Sequence, residues 1–139
     1  MKWSIRKEGI DNYFLEYKDK ILPFHSRVGL VNELQESIKK ARLRMVKELS
    51  DMGMSVNDLT KITKADGKTT YDNSNKQFIE ESYINEENQR VLENIIKEMF
   101  NMGFEELMLD IGIDDTEEAR EFSTELGNCL IGRTPRNKQ

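Results

Sequence analysis

The stretches Val46–Asp66, "VKELSDMGMSVNDLTKITKAD", and Ile96–Asp115, "IKEMFNMGFEELMLDIGIDD", decide how this chain of 139 residues is read. Val46, Lys47, Glu48, Leu49, Met52 and Gly53 align with Ile96, Lys97, Glu98, Met99, Met102 and Gly103, and after a two-residue deletion Leu59, Thr63, Ala65 and Asp66 align with Leu107, Ile111, Ile113 and Asp114. The alignment predicts one unit used twice: a long helix, a glycine elbow, a short helix and a turn. Two copies are too few for a solenoid but suit a pseudo-symmetric pair with its long helices packed together.

Outward from these corners the periodicity is helical. Val31, Leu34, Ile38, Ala41, Met45, Leu49 and Met52 recur at steps of three and four with charged residues between them, which predicts an amphipathic helix over residues 30–52. Gly53 is placed to cap it in the left-handed conformation. Ser55 and Asp58 resemble a capping box for a short helix running through Leu59 and Ile62. A second long helix is expected from about Asn85 to Met102, a short one over 104–111, and a last one from Thr116 with Ala119, Phe122, Leu126 and Leu130 inward. At the N-terminus Trp3 and Ile5 alternate as in a short strand, while Ile10, Phe14, Tyr17 and Ile21 have helical spacing, closed by Pro23. The expected fold is therefore all-α, a compact helical domain of about five helices built on the two repeated units. Its parts are an N-terminal segment 1–29, a first unit 30–66, an exposed loop 67–77 with a weak hairpin at Asp66-Gly67, a second unit 78–131 and a flexible tail 132–139. Met52, Met54, Met99, Met102 and Met108 cluster at the elbows and read as core filler, with a partner or dimer surface as the sharper alternative.

Charge is unevenly distributed. The net charge is -5 overall, yet Lys39–Lys76 holds nine basic and five acidic residues and Glu80–Glu125 holds three basic and fifteen acidic ones. Both repeats resemble part of a helix-turn-helix. In the second copy the would-be recognition helix begins "DDTEEARE", whose carboxylates phosphate would repel; Asp115 and Glu118 there suit a capping box. In the first copy Lys39, Lys40, Arg42, Arg44, Lys61, Lys64 and Lys68 are phosphate-contacting types, but Gly67 and the "TTYDNSNK" beyond it disfavour a helix.

Little enzymatic chemistry is legible. One histidine, His25, and one cysteine, Cys129, are too few for an ordinary zinc site or a disulfide. "DGKTT" lacks the earlier glycine of a phosphate-binding loop, since Ile62 stands there, and Asp110, Asp114 and Glu121 match calcium-loop positions that Gly112 and Asp115 spoil. No cofactor, metal or small-molecule substrate is expected, nor a membrane partner, because no apolar run approaches a span and no secretory signal opens the chain. A cytoplasmic location is expected. The functional expectation is a non-enzymatic interaction module, a small regulator, inhibitor or assembly factor, that presents Asp114, Asp115, Glu117, Glu118, Glu121 and Glu125 to a partner protein with a basic surface, a homodimer being open to it. The alternative is a nucleic-acid-binding regulator using the basic 39–76 region on DNA.

Overall fold

A computed structural model describes residues 2–135. Strands β1 (Trp3–Glu8), β2 (Asn12–Tyr17) and β3 (Lys20–His25) form an antiparallel meander in that order. The register sets Trp3 opposite Tyr17, Ile5 opposite Leu15 and Tyr13 opposite Phe24. All six side chains are buried. Because successive side chains point to opposite faces, Arg6, Phe14 and Glu16 share the other face, where the Arg6 guanidinium lies 4.5 Å above the Phe14 ring and bonds Glu16 at 3.0 Å. The first hairpin bends at Gly9, and the second closes over Lys18-Asp19, with Lys18 in the left-handed region at φ 50°.

This meander replaces the expected N-terminal helix. Ile10 is 91% exposed and Ile21 59% exposed, so the three-and-four spacing of Ile10, Phe14, Tyr17 and Ile21 is coincidental and marks no buried stripe. The period of two in Trp3, Ile5, Tyr13, Leu15 and Tyr17 is the one that packing enforces. Pro23, expected to stop a helix, sits instead in the edge strand β3, where a missing N–H is tolerated.

Four α-helices come next among the described residues: α1 (Leu30–Asp51), α2 (Ser74–Phe100), α3 (Phe104–Ile111) and α4 (Thr116–Leu130). The ribbon of β4 (Lys61–Thr63) and β5 (Thr69–Tyr71) lies between α1 and α2 in the chain. The molecule is 57% helical and 18% strand, so the all-α, five-helix expectation is overturned in favour of a mixed α and β architecture.

The repeated unit does not survive either. At the first corner Gly53 is left-handed, φ 74°, and leads into a single 3-10 turn, Val56–Thr60, and then into the ribbon. At the second corner Gly103 has φ -67° and ψ 160° and is the N-cap of α3, while the left-handed residue is Asn101, φ 52°. Only the second corner is succeeded by two helices. The cause of the divergence is local. "TKIT" and "TTY" are rich in β-branched and aromatic residues that fit a strand, and Asp66-Gly67 turns between them with Gly67 at φ 82°. The expected loop 67–77 contains β5 and the start of α2, which begins eleven residues before Asn85 because Asp72 accepts the Ser74 N–H at 2.8 Å. That bond holds the Asp72 carboxyl below its usual range. Of the expected tail 132–139, residues 136–139 lie outside the described residues.

The chain divides into two compact units, Met1–Glu33 with Arg90–Gln139, and Leu34–Gln89. The first has a continuous core: Trp3 meets Phe122 edge-on at 5.1 Å, Tyr13 stacks on Phe24 at 5.3 Å, and Leu15, Ile96, Leu107 and Leu126 are wholly buried. The second is thin. Its buried apolar residues are Ala41, Met45, Leu49 and Leu59, and Val56, Ile79 and Tyr83 pack partly against the last three. Elbow methionines as core filler hold at Met108, which is buried, but not at Met52, which is 65% exposed. Among the described residues no helix is long and apolar enough to cross a membrane.

Candidate protein-interaction surface

The acidic surface is built by the way α3 hands over to α4. Gly112 closes α3 in the left-handed conformation, its N–H bonding the Met108 carbonyl, and Ile113 is then buried. The chain must turn outward after it. Asp114 therefore has a side chain that is 91% exposed, and Asp115 caps α4, its carboxylate accepting the N–H groups of Glu117 at 2.7 Å and Glu118 at 3.4 Å. The capping box expected at Asp115 and Glu118 is half formed, because Glu118 turns to Lys2 instead, at 3.6 Å. Lys2 also donates to the Gly112 carbonyl at 2.7 Å and lies 4.0 Å from Asp114. One lysine thus serves two of the carboxylates.

Glu117 and Glu121 are exposed and make no ion pair among the described residues. Together with Asp115, Glu118 and the edge of Trp3 they line an open depression on the surface. Glu125, one turn further, is a correction. It is only 9% exposed, because it falls on the side of α4 that carries Phe122, Leu126 and Cys129 into the core, and it cannot be presented to a partner as Glu121 is. Burial first, and then the charge of Glu125, push the Cys129 thiol up to about 12, so it stays protonated and inert at neutral pH. Lys2 and Trp3, which no charge pattern in the sequence attaches to this surface, belong to it through the strand that the alternation of Trp3 and Ile5 signals.

The basic residues of 39–76 are placed differently. Lys39 pairs with Glu36 at 3.2 Å, Arg42 with Glu80 at 3.1 Å, and Lys61 with Asp58 at 3.0 Å. Arg44 bridges to Glu86 and to Glu87, the latter at 3.2 Å, and its guanidinium covers the Tyr83 ring at 4.8 Å. These side chains tie α1 to α2 inside the second unit or steady their own turn. Lys40, Lys64 and Lys68 are exposed without an ion pair among the described residues. No group of three potential metal ligands converges among the described residues.

A further polar tie is internal to the first unit: the Tyr17 hydroxyl donates to Asp110 at 2.6 Å, and Lys20 bonds the same carboxylate oxygen at 2.7 Å. Lys20 first, then Tyr17, hold Asp110 below its usual range, while burial first, then the bond to Asp110, raise Tyr17. The arrangement joins β2 and β3 to α3. Set against protein-family models, curated proteins and solved structures, the chain matches none of them.

Proposed function

We propose that the chain is a non-enzymatic protein-interaction module, a small regulator, inhibitor or assembly factor, whose partner is a protein with a basic surface docking on the start of α4. The observation that supports this reading most is the state of the carboxylates: Asp114, Glu117 and Glu121 project into solvent while Lys2 is the sole cation paired to the cluster among the described residues. A surface of one sign steers a partner of the other sign and speeds their encounter.

The test is affinity capture with the full chain as bait, beside the variant Asp114→Asn/Glu117→Gln/Glu118→Gln/Glu121→Gln. Asp115 is left intact so that α4 keeps its cap. A partner held through this surface is lost from the variant and weakens as salt is raised, since screening shortens the reach of exposed charges to roughly 10 Å at 0.1 M. Identical partner lists for the two baits would refute the proposal.

A further inference from the structure

Two leucines stand exposed on helices in opposite charge frames: Leu43 of α1 is 71% exposed and Leu109 of α3 is 77% exposed. Residues three and four apart are neighbours on a helix surface. Lys39, Lys40, Val46 and Lys47, all exposed, therefore flank Leu43 one turn to either side. This side of α1 lies opposite the buried Ala41, Met45 and Leu49. The carboxylates nearest on it, Glu36 and Asp51, stand a further turn away, and Glu36 is bonded to Lys39. Lys40 and Lys47 have no ion pair among the described residues. On α3 the same spacing carries the opposite sign. Glu105 and Glu106 precede Leu109 by four and three residues, are exposed, and have no ion pair among the described residues. Leu107, Met108 and Ile111 turn the other way into the core. Glu106 and Leu109 also line an open depression with Met102, Asp110, Lys18 and Lys20. Both of its lysines act on Asp110, Lys20 through a 2.7 Å bond and Lys18 through charge alone.

We infer that the chain associates with a second copy of itself, the α1 face around Leu43 of one molecule docking on the α3 face around Leu109 of the other. Each face supplies what the other lacks: an apolar side chain framed by lysines meets an apolar side chain framed by glutamates. Every molecule carries both, so the complement is always present at the protein's own concentration. Pairing α1 with α1 or α3 with α3 would set like charges together, which disfavours those arrangements. The contact is therefore heterologous, each copy offering a different face. A polyanion such as nucleic acid would suit the α1 face alone and be repelled by Glu105 and Glu106. The inference does not rest on the proposal made for the start of α4, whose carboxylates take no part in this contact.

The test is sedimentation equilibrium of the full chain at low salt, at concentrations up to about 1 mM, where contacts of small area associate. The average mass of the parent should rise with concentration, and the rise should shrink as salt screens the charges. Leu43→Glu and Leu109→Lys are each expected to stay monomeric. Both place a charge among opposite charges three and four residues away, which favours their own helices, and an unchanged circular dichroism spectrum verifies folding. An equimolar mixture of the two should associate again, because one variant keeps its α3 face and the other its α1 face. Glu105→Gln/Glu106→Gln should associate more weakly than the parent and with little dependence on salt. A monomeric parent at every concentration would overturn the inference and leave these faces to a different protein. Association of either single variant as strong as that of the parent, a mixture that stays monomeric, or a salt dependence unmoved by the double variant would each overturn it as well.

Discussion

At Met52-Gly53 and at Met102-Gly103 the chain spells the same corner and builds it in two ways. Gly53 itself makes the left-handed bend, whereas Gly103 has an ordinary φ and Asn101 makes the bend two residues earlier. The next elements differ accordingly: a 3-10 turn and an exposed ribbon after the first, two packed helices after the second. The contrast extends to the units that hold these corners. Around α3 and α4 the core is continuous and aromatic, while around the end of α1 it rests on Met45, Leu49 and Leu59. Identical letters therefore fix a corner only together with the apolar content of the segment downstream. "SVNDLTKIT" has one buried residue, Leu59, where "FEELMLDIGI" has Leu107, Met108, Ile111 and Ile113.

The difference can be attacked from the strong side first. Phe122→Ala removes a wholly buried ring that meets Trp3, and a loss of about 3–5 kcal/mol is expected in denaturant unfolding monitored by the fluorescence of Trp3, the sole tryptophan. A loss below about 1 kcal/mol would show that the first unit is no better packed than the second. Met45→Ala should cost about 2 kcal/mol, near the low end for such truncations because a thin core collapses readily around the gap. Hydrogen exchange should register it as faster exchange in α1, with the amides of β1 and β2 little changed.

The corners themselves are compared by one substitution made twice. Gly53→Ser places a Cβ in the left-handed region and should cost about 1 kcal/mol. Gly103→Ser meets an ordinary φ and open space, and a hydroxyl there can cap α3, so a gain of a few tenths, up to about 0.5 kcal/mol, is expected. Equal losses at the two positions would mean that the bends are equivalent after all. Asp115→Ala removes the α4 cap and should cost about 1 kcal/mol in thermal or denaturant unfolding.

The last effect is silent at neutral pH. Tyr17 and Cys129 both hold their protons more tightly folded than unfolded. The stability they contribute is complete below the unfolded values of about 9 for the thiol and about 10 for the phenol, and is lost as pH rises beyond them toward the higher folded values. Alkaline unfolding of Tyr17→Phe should retain more of its neutral-pH stability above pH 10 than the parent does.

Much of the helical part is legible in the sequence because its signals are long: the apolar stripe of α1 places that helix within a residue, and α3 and α4 emerge from periodicity and caps. The strands are legible only in part: Trp3 and Ile5 signal β1 and Asp66-Gly67 signals the β4–β5 hairpin, but each strand is six residues or fewer, and across β2 and β3 Ile10, Phe14, Tyr17 and Ile21 offer a competing helical period that only burial can refute. The start of α2 is hidden because "SNKQ" has no apolar face, although Asp72 and Asn73 before it are residue types that favour a helix start. On the acidic surface composition marks the stretch rich in carboxylates, but which of them face outward depends on the phase of α4, and Glu125 falls on its inner side. Pairing of Arg42 and Arg44 with Glu80, Glu86 and Glu87 cannot be read, since it needs two helices that lie far apart in sequence.

The burial of Cys129 has a practical consequence. With one thiol in the whole chain, sealed beneath α4 and protonated at physiological pH, an alkylating reagent can mark the protein only when that part opens. The rate of labelling is thus a clock for the opening of the first unit, and any partner that settles on the start of α4 should slow it.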